Sequence, residues 1–562
     1  MSTSFRKRGT QRGAALIVMM TVIVMGIAWY TVGALGNAVR STAEREIRTG
    51  AALYAAKRAL LDYVAAQAAQ PDTTIPGRLP CPEPLSPAAG SEGIAAGCSD
   101  NTATYVGRLP WRTLGVDQIR DGDGELLWYI LGRGFRQSPI NFGSQDEIEL
   151  DGVDRQAVAM IIAPGEALNT TSEAGTPPAN CPRVNQQPRS VTAPFDPAAF
   201  LECGRAATPA PGNEPQYKTD KISPWTNDRI VTITAAELMD AIAGPVGDRL
   251  QRQVAPMLAN WDAVELAARA KSWGAAPPNG HNLPYIPYAS TWGDPTTNNY
   301  CGNQGVYEGL IPADPTCYNS NWTGNAAAFG GLIPWSCGNV GGATPYRRCV
   351  FLRLLASAPL TATITFTAVD VARAYRSTIT ASDLTVTDGG SATMAMSLSD
   401  TTSDATLTIN ASWPLTLAVG AFVEVRVPHL QDAAVLTDPR FTWFWNNQWQ
   451  RYTYYHVAPS ATAASVTPCV NPGDPGCISV TGLPAGTGNT WDKRLALVLS
   501  GRPLATQTQP SSGRSNYFEA ENLTSGDRQY EMLAKSTTFN DRVAACPFQY
   551  PKQSGPALTI CN

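Results

Sequence analysis

The stretch RGAALIVMMTVIVMGIAWYTVGALGNAV, residues 12–39, decides how this chain is organised. A short basic leader with Arg6, Lys7 and Arg8 precedes it, and no charged residue follows Arg12 until Arg40. As a helix, residues 14–39 reach about 39 Å, enough to cross a hydrocarbon core of about 30 Å. Because basic leaders stay in the cytoplasm, the stretch predicts a transmembrane helix at 14–39 and export of everything after Arg40.

A secretory signal peptide also begins with basic residues and an apolar run. It fits this stretch poorly, because the run is longer than a signal-peptide core and no small-x-small cleavage site closes it. An uncut single-pass anchor for a periplasmic protein remains an alternative.

The wording RGAALIV, followed by an apolar helix and by AEREIRTGAALYAAKRALLDY, resembles type IV prepilins, most of all the N-terminal region of PilX-type minor pilins. The resemblance implies that a prepilin peptidase removes the leader, residues 1–13, by cutting between Gly13 and Ala14, and that Ala14 is then N-methylated. The wording PWRTLG, APGEAL, YYHVAPS and NDRV is also similar to large uncharacterised prepilin-type proteins.

One position departs from the family pattern. Major pilins carry a glutamate at the fifth mature position, and its carboxylate meets the N-terminal amine of the neighbouring subunit in an apolar filament core, where an unpaired charge is costly. This chain has Val18 there. Minor pseudopilins at a filament tip lack the same glutamate, so the resemblance implies a tip subunit.

Composition agrees with an exported structural protein. A chain of 562 residues predicts two or more domains. The net charge of −4 gives no electrostatic footprint for nucleic acid. Abundant Thr, Ser, Asn, Gly and Pro indicate short strands joined by many turns.

All 12 cysteines lie beyond the apolar stretch, which indicates disulfides formed in an oxidising compartment such as the periplasm. Zinc is the competing interpretation, but no CxxC occurs and only three histidines are present. Each short-range bridge would add roughly 2–4 kcal/mol. Sequence alone cannot determine connectivity, and nearest-neighbour pairing gives Cys81 with Cys98, Cys181 with Cys203, Cys301 with Cys317, Cys337 with Cys349, Cys469 with Cys477, and Cys546 with Cys561.

Short motifs recur in the same order in the two halves of the chain. The first half has LPCP (79–82), GRLPW (107–111), a strand at 126–130, an apolar run at 157–162, GEAL (165–168) and NDRI (227–230). The second half has LPYIP (283–287), GLIPW (331–335), a strand at 451–457, an apolar run at 495–499, GRPL (501–504) and NDRV (540–543).

This repeat predicts an α+β fold in which a long N-terminal pilin-type helix precedes two tandem pilin-like modules, each a helix against an antiparallel sheet. The predicted parts are the helix at 14–70, the first module at 71–234 and the second at 235–562. Alternating residues at 361–369, 406–409 and 422–427 predict a β-rich insertion at about 345–435 in the second module. Exposed insertions of this kind often carry a binding surface.

Two helix faces are expected to pack. In the N-terminal helix, the predicted apolar face contains Ile47, Ala51, Tyr54, Leu61, Ala65 and Ala68. In the second module it contains Leu238, Ile242, Val246, Leu250, Val254, Leu258 and Trp261, with Pro245 and Pro256 expected to break or kink the helix.

The aromatic run at 441–455 predicts a hairpin with Asn446-Asn447 near its turn. Its aromatic side chains could fill the core of the second module, as cross-strand pairs do. Alternatively, Trp443 and Trp445 could project as a platform for a glycan or a protein.

Two motifs invite a chemical interpretation. Asp121-Gly122-Asp123-Gly124-Glu125 offers a calcium candidate in Asp121 and Asp123, although the EF-hand spacing is absent and a tight turn explains the two DG pairs. The NDR segments suggest either a catalytic Asp–Arg pair or a turn with a local ion pair. No HExxH, Walker, GxSxG or GxGxxG motif occurs, so neither an enzyme nor a cofactor is predicted.

The sequence therefore predicts a minor pilin or pseudopilin at or near the tip of a type IV pilus or of a type II secretion-like filament. Its partners would be other pilins, the prepilin peptidase and the inner membrane, and its C-terminal part would be periplasmic and then reach the cell surface. A pilus-delivered adhesin with a surface ligand, or an uncut membrane anchor, are the alternatives.

Overall fold

The computed structural model describes residues 12–97, 106–146, 148–150, 153–177, 181–190, 192–203, 216–217, 223–259, 289–297, 300, 306–312, 322–324, 332–339, 346–353, 360–366, 384–386, 395–399, 407–413, 422–428, 439–461, 469, 471–483 and 489–547. Only the backbone is described for 12–18, 31–41, 153–155, 216–217, 322–428, 439 and 547. Helices and largely antiparallel sheets make up the described residues, as the α+β prediction requires. They form two compact units.

The first unit contains residues 1–60, 79–136 and 146–234. Its strands are β1 (Val106–Arg108), β2 (Trp128–Leu131), β3 (Ile148–Leu150), β4 (Val153–Ala157), β5 (Ala159–Ala163), β6 (Gln216–Tyr217) and β7 (Arg229–Ile233). The order β1-β2-β5-β7 forms an antiparallel four-stranded sheet, and β4-β3-β6 forms a small second sheet. Apolar residues of β2 and β5 are fully buried, so this sheet carries the core of the unit.

The second unit contains residues 61–78, 137–145 and 235–562. The N-terminal helix is α1 (Arg12–Ala69), and the helical elements that follow it in the second unit are α2 (Ala235–Arg249), a π turn (Leu250–Val254), α3 (Ala255–Ala259) and α4 (Pro439–Asn446). The strands of this unit are β8 (Glu308–Leu310), β9 (Trp322–Gly324), β10 (Leu332–Asn339), β11 (Tyr346–Arg353), β12 (Leu360–Phe366), β13 (Leu384–Val386), β14 (Ala395–Ser399), β15 (Leu407–Trp413), β16 (Phe422–Pro428), β17 (Thr453–Val457), β18 (Ser479–Thr481), β19 (Lys493–Leu499), β20 (Gln529–Glu531) and β21 (Arg542–Pro547).

The two units repeat one sheet topology. In the second unit the order β8-β17-β19-β21 is again antiparallel, and its strands follow one another along the chain as β1, β2, β5 and β7 do. Gly107 in β1 and Gly309 in β8 hold equivalent places, because a Cβ on either would overlap a backbone carbonyl, of Glu83 or of Ser290. Both sheets therefore admit a close backbone neighbour at their first strand.

This correspondence corrects one match of the sequence repeat. GRLPW at 107–111 was paired with GLIPW at 331–335, but the strand equivalent to β1 is β8, which is followed by Ile311 and Pro312. The chain contains GLIP twice, at 309–312 and at 331–334, and the second copy lies in β10 of a different sheet. Only strand pairing distinguishes the two copies.

Strands between residues 322 and 428 form two further antiparallel sheets. Their orders are β10-β11-β16-β13 and β14-β15-β12-β9. The predicted insertion at about 345–435 falls in this part of the chain. Most of the loops that join these strands lie outside the described residues.

Of the predicted apolar face of α1, Ala68 is buried as expected, but the rest of the buried face differs from the prediction. Ile47 and Tyr54 are 72% and 68% exposed. The buried residues are Thr49, Ala52, Leu53, Ala56, Leu60, Val64 and Ala68. Both faces have helical spacing, so periodicity alone could not choose between them. The buried face is rich in alanine, which allows a neighbouring backbone to come close.

The predicted face of α2 is confirmed from Leu238 to Leu258, all of whose apolar members are buried; Trp261 lies outside the described residues. Pro245 is accommodated inside α2. The π turn ends just before Pro256, which lacks an amide proton and would otherwise clash with the preceding turn.

The predicted aromatic hairpin is wrong. Residues 439–446 form α4, a 3₁₀ turn follows at Trp449–Tyr452, and only then does β17 begin. Trp443 is 1% exposed and lies under the Arg249 guanidinium, 3.9 Å from the ring centroid. It therefore belongs to the core, and the platform interpretation does not hold for Trp443.

Asn447, which the prediction placed near a turn, lies in the turn that follows α4 and is fully buried. Its Nδ2 donates to the carbonyls of Thr74 and Trp443, each at 2.7 Å, and its backbone carbonyl accepts from Asn141 at 2.8 Å. These bonds join three segments of the second unit. The aromatic run can form the helix α4 because Phe441 and Phe444, three residues apart, lie on the same helix face.

Two of the predicted disulfides are present, Cys181–Cys203 in the first unit and Cys469–Cys477 in the second. Cys81 and Cys546 are disulfide-bonded, and their predicted partners Cys98 and Cys561 lie outside the described residues. Cys337 and Cys349 occupy opposite register positions on β10 and β11. Cys301 and Cys317 also lie outside the described residues.

The buried face of α1 can be tested by matched truncations. Leu53→Ala should lower the free energy of unfolding by about 2–5 kcal/mol, because it leaves a cavity where the side chain is buried. Ile47→Ala removes a similar apolar side chain from the exposed face and should change it by no more than about 0.5 kcal/mol. Chemical denaturation measures both, and equal losses would show that the packed face is assigned wrongly.

Candidate functional site

The apolar part of α1 is exposed wherever its side chains are described. Exposure of the large side chains in residues 19–30, here called the apolar segment, ranges from 51% at Ile23 to 85% at Trp29. The exposed members are Met19, Met20, Val22, Ile23, Val24, Met25, Ile27, Trp29 and Tyr30. The residues that the structure describes leave more than half of each of these side chains exposed.

Exposure extends around the whole helix. Successive residues of an α-helix turn by about 100°, so Val22, Ile23, Val24 and Met25 point in four different directions. All four are exposed, and a Cβ on Gly26 would meet nothing within 4 Å. A helix that is apolar all round is typical of one buried in a larger core or in lipid.

By length and mean hydropathy, none of the helices among the described residues qualifies as a membrane span.

The predicted processing site lies at the start of the same helix. Gly13, Ala14 and Val18 fall within the first turns of α1, where only the backbone is described. Cleavage between Gly13 and Ala14 stays a prediction.

The Asp-Gly turn packs against α1. The Gly122 amide donates to Thr49 Oγ1 at 3.0 Å, and Arg45 Nη1 lies 3.1 Å from Asp123 Oδ1. A Cβ on Gly122 would overlap the backbone carbonyl of Arg45, so only glycine permits this approach. We call these contacts of Gly122 and Asp123 with α1 the helix clamp.

A second contact supports the helix clamp. Arg229, at the start of β7, forms an ion pair of 2.6 Å with Glu46. Both side chains are about 40% exposed, so the pair itself adds little stability. The clamp and this pair together place one face of α1 within the first unit.

Asp121 organises the turn from inside. Its Oδ1 accepts the amides of Asp123 and Glu125 at 3.0 and 2.9 Å, and its Oδ2 accepts the Gly165 amide at 2.9 Å. Burial raises the pKa of Asp121, and the three amides oppose that rise.

These contacts show how the structure uses the two calcium candidates, Asp121 and Asp123. The oxygens of Asp121 that a cation would need are directed at amides, and Asp123 holds α1. Within the part of the chain that the structure describes, no group of three or more His, Cys, Asp or Glu residues is arranged to hold a metal ion.

The first NDR segment leads to a buried pair of acids, Glu202 and Asp228, at 1% and 2% exposure. The Glu202 amide donates to Asp228 Oδ2 at 3.0 Å, and Glu202 Oε2 accepts the amides of Asn227 and Asp228 at 3.2 and 3.3 Å. Gln186 Nε2 donates to Glu202 Oε1. The glutamate thus fixes the turn that precedes β7.

The second NDR segment repeats this arrangement with Glu519 and Asp541. The Glu519 amide donates to Asp541 Oδ2 at 3.0 Å, and the Asn540 amide donates to Glu519 Oε2 at 3.0 Å. Gln507 Nε2 donates to Glu519 Oε1 at 2.7 Å. We call Glu202 with Asp228, and Glu519 with Asp541, the carboxyl pairs.

The match extends to the neighbouring turns. Asn227 Nδ2 donates to the Glu166 carbonyl at 2.7 Å, and Asn540 Nδ2 donates to the Arg502 carbonyl at 2.8 Å. GEAL (165–168) and GRPL (501–504), which match in the sequence, therefore each accept a hydrogen bond from the asparagine of the NDR segment in their own unit. Each carboxyl pair closes a loop onto the last strand of its sheet.

Sequence reasoning identified the NDR segments but missed their partners. Glu202 ends Phe-Leu-Glu and Glu519 ends Tyr-Phe-Glu, each after a 3₁₀ turn, and Gln186 and Gln507 each shortly precede a proline. These similarities were present in the sequence. They carry no signal alone, because no short-range spacing links a glutamate to an aspartate more than 20 residues away.

No protein-family model matches this chain, and the searches of curated proteins and of solved structures find no match either. Function must therefore be argued from the residues and their geometry.

The helix clamp gives a direct test. Gly122→Ala should lower the free energy of unfolding by about 1–3 kcal/mol, because the added methyl group forces the turn away from the backbone of α1. Amide hydrogen exchange in residues 42–58 should rise in this variant.

Gly50→Ala is the matched control. A Cβ at Gly50 meets nothing within 4 Å, and alanine favours the helix by about 0.5–1 kcal/mol. This control should be neutral or stabilising. A neutral Gly122→Ala would mean that the turn does not hold α1.

Proposed function

We propose that this chain is a minor pilin or pseudopilin that acts in filament assembly at or near the tip of a type IV pilus or of a type II secretion-like filament. The leader would be removed at Gly13, the N-terminal helix would join the filament core, and the modules after it would lie outside that core. The protein would first reside in the inner membrane with its C-terminal part in the periplasm.

The exposed apolar segment carries the proposal. Among the described residues its large side chains are exposed in all directions around the helix, and exposed apolar surface of this extent favours burial against lipid or other helices. An inner membrane and then a filament core supply those two surroundings in succession.

The helix clamp supports the same proposal. Its contacts lie at residues 45–49 of α1, beyond the apolar segment. Since α1 is one continuous helix from Arg12 to Ala69, a partner that holds the apolar segment would also hold the first unit. This is what a filament subunit requires.

Two features favour a tip position over a repeating one. Val18 cannot offer a carboxylate to the amine of a neighbouring subunit. The chain also continues for almost 500 residues beyond the helix, as two modules, and subunits at close axial spacing in a shaft would clash with so large a head.

The mature N-terminus tests the proposal. Mass spectrometry on protein from cells with an active prepilin peptidase should find N-methylated Ala14 as the first residue. Gly13→Val, which places a branched side chain at the cut, should leave the leader in place. Residues before Ala14 in the wild-type protein would refute the pilin assignment and favour the uncut membrane anchor.

A deletion strain tests the assembly role. Loss of the chain should abolish filaments, and the wild-type gene or Val24→Leu should restore them. Val24→Asp should not, because a charge in the apolar segment costs about 2.5–3.5 kcal/mol in an apolar surrounding. Electron microscopy of filaments is the measurement.

The adhesin alternative predicts a different result. Deletion would then leave filaments of normal number but abolish attachment to a glycan or protein surface. That outcome would assign the second module to ligand binding and reduce the helix to a delivery anchor.

A further inference from the structure

The first strand of each equivalent sheet is closed along its outer edge. In the first unit, the Glu83 amide donates to the Arg108 carbonyl of β1 at 2.9 Å. In the second unit, Ser290 and Leu310 of β8 exchange two backbone hydrogen bonds, each at 2.9 Å. Unpaired backbone groups on a sheet edge are a template for another chain, and at these two strands the protein supplies the partner itself.

The last strand of the second unit is closed by a side chain. Gln251, in the π turn after α2, donates through Nε2 to the Ala545 carbonyl of β21 at 2.8 Å. Its Oε1 accepts the Ala545 amide at 2.7 Å. Because a glutamine amide carries the same donor and acceptor as a peptide group, Gln251 takes the place of a neighbouring strand.

The last strand of the first unit, β7, directs two residues outward. The Ile233 carbonyl accepts the Val158 amide at 2.8 Å, so Ile233 uses its backbone groups on the side of β5. Backbone groups alternate between the two sides of an antiparallel strand, so Val231 also bonds toward β5. The amides and carbonyls of Ile230 and Thr232 therefore face away from the sheet.

The outward groups of β7 have no counterpart of Gln251. Alignment of the two NDR segments makes Thr232 the equivalent of Ala545. Within the described ranges, no hydrogen bond from outside the sheet reaches the backbone of Ile230 or Thr232. Residues 230–232 are partly exposed, so this edge reaches the surface.

The sequence of β7 does not protect an open edge. Proteins commonly place lysine, proline or a bulge on such an edge to prevent pairing with other chains. From Ile230 to Ala236 this chain has neither a charged residue nor a proline. Isoleucine, valine and threonine also favour strand pairing. The edge is therefore suited to accept a further strand.

The side chains of β7 define the incoming segment. Ile230 packs against the core cluster of the sheet, and Val231, on the opposite face, is partly exposed. An added strand would continue both faces, so its residues beside Ile230 and Val231 would be apolar or β-branched. A charged residue there would lose water without gaining a counterion. The edge fits an extended, uncharged segment.

The position of β7 favours a filament subunit as the source of that segment. Arg229, the first residue of β7, pairs with Glu46 of α1 at 2.6 Å, and the adjacent Ile47 is 72% exposed. In the function proposed above, α1 is the helix that neighbouring subunits contact. A neighbour that packs on α1 near Ile47 would lie beside the start of β7.

We propose that the outer edge of β7 receives an extended, uncharged segment of a neighbouring filament subunit, which joins the four-stranded sheet through the backbone groups of Ile230 and Thr232. This inference rests on the proposed function. Backbone pairing supplies the affinity, and the side chains beside Ile230 and Val231 select the segment. The second unit accepts no strand at β21, because Gln251 occupies that edge.

Hydrogen exchange of the full chain in detergent micelles tests whether the edge is open. After correction for intrinsic rates, residue-resolved mass spectrometry should find that the amides of Ile230 and Thr232 exchange at least about a hundredfold faster than those of Val231 and Ala545. Ala545 is the internal reference, since its amide is bonded to Gln251. Equal protection at Thr232 and Ala545 would show that another part of this chain closes the edge, which overturns the proposal.

Proline variants make the same test through stability. Thr232→Pro removes an outward amide, which an edge strand tolerates, and should keep the midpoint of thermal unfolding within about 5 °C of the wild type. Val231→Pro removes an amide bonded toward β5 and should prevent folding of the unit. An equal loss in both variants would mean that the Thr232 amide is already paired, against the proposal.

The contact with a neighbour is tested by complementing the deletion strain. Thr232→Val, which keeps the amide and the β-branched shape, should restore filaments. Thr232→Pro loses a backbone hydrogen bond and Thr232→Lys places a charge on the edge, so each should reduce filament number about tenfold or more in electron micrographs. Ala14 should be the first residue in all three variants, because processing does not involve β7.

The outcomes separate this inference from the proposed function. Full restoration of filaments by Thr232→Pro and Thr232→Lys would overturn the added strand and leave the pilin role intact. Failure of Thr232→Val would also overturn it, because the effect would then belong to the hydroxyl group. Normal filaments in the deletion strain would overturn the proposed function and this inference with it. If Thr232→Pro does not fold, Thr232→Lys and the exchange experiment decide.

Discussion

Both units depend on a buried glutamate that accepts the backbone amide of an asparagine just before the last strand of the sheet. Glu202 and Glu519 are buried, and each also receives a glutamine side chain. Backbone amides that are buried without a partner are costly, so the turn can be buried only if the carboxylate is there. The last strand then enters the sheet in a fixed register.

The two units surround their carboxyl pairs with different side chains. Bringing an aspartate beside the glutamate supplies an acceptor for the amide of that glutamate but adds a second acid to a dry site. The first unit surrounds its pair with a threonine hydroxyl and an arginine bonded to Gln186. In the second unit Asn522 donates to Asp541, and Arg514 in turn donates to the Asn522 carbonyl.

The packed residues and the exposed apolar residues of α1 lie in different parts of the helix. The helix clamp requires a glycine at position 122 of the turn. It contacts α1 at Thr49, which lies on the same buried face as Ala52 and Ala56. The large side chains of the apolar segment are exposed. This division suits a subunit whose helix is completed by lipid or by other subunits while its modules fold on their own contacts, which is the basis of the function proposed above.

The sequence by itself determined the continuous apolar helix, the mixed helix and antiparallel-sheet composition, and the buried face of α2. Nearest-neighbour pairing of the cysteines agrees with Cys181–Cys203 and Cys469–Cys477, although the sequence left their connectivity open. Each of these depends on composition, on a single periodicity or on near neighbours.

Tertiary structure decided the features for which the sequence allowed more than one local structure. The alanine-rich face of α1 and the face that contains Ile47 and Tyr54 have the same helical period. The close approach of Gly122 to the helix favours burial of the alanine-rich face. The many aromatic residues at 441–455 obscure the helical period, and packing against Arg249 and the hydrogen bonds of Asn447 accompany the formation of α4. Two copies of GLIP are distinguished only by strand pairing. The carboxyl pairs join residues far apart in sequence, because the need to satisfy a buried amide is a property of the folded sheet and leaves no fixed spacing behind.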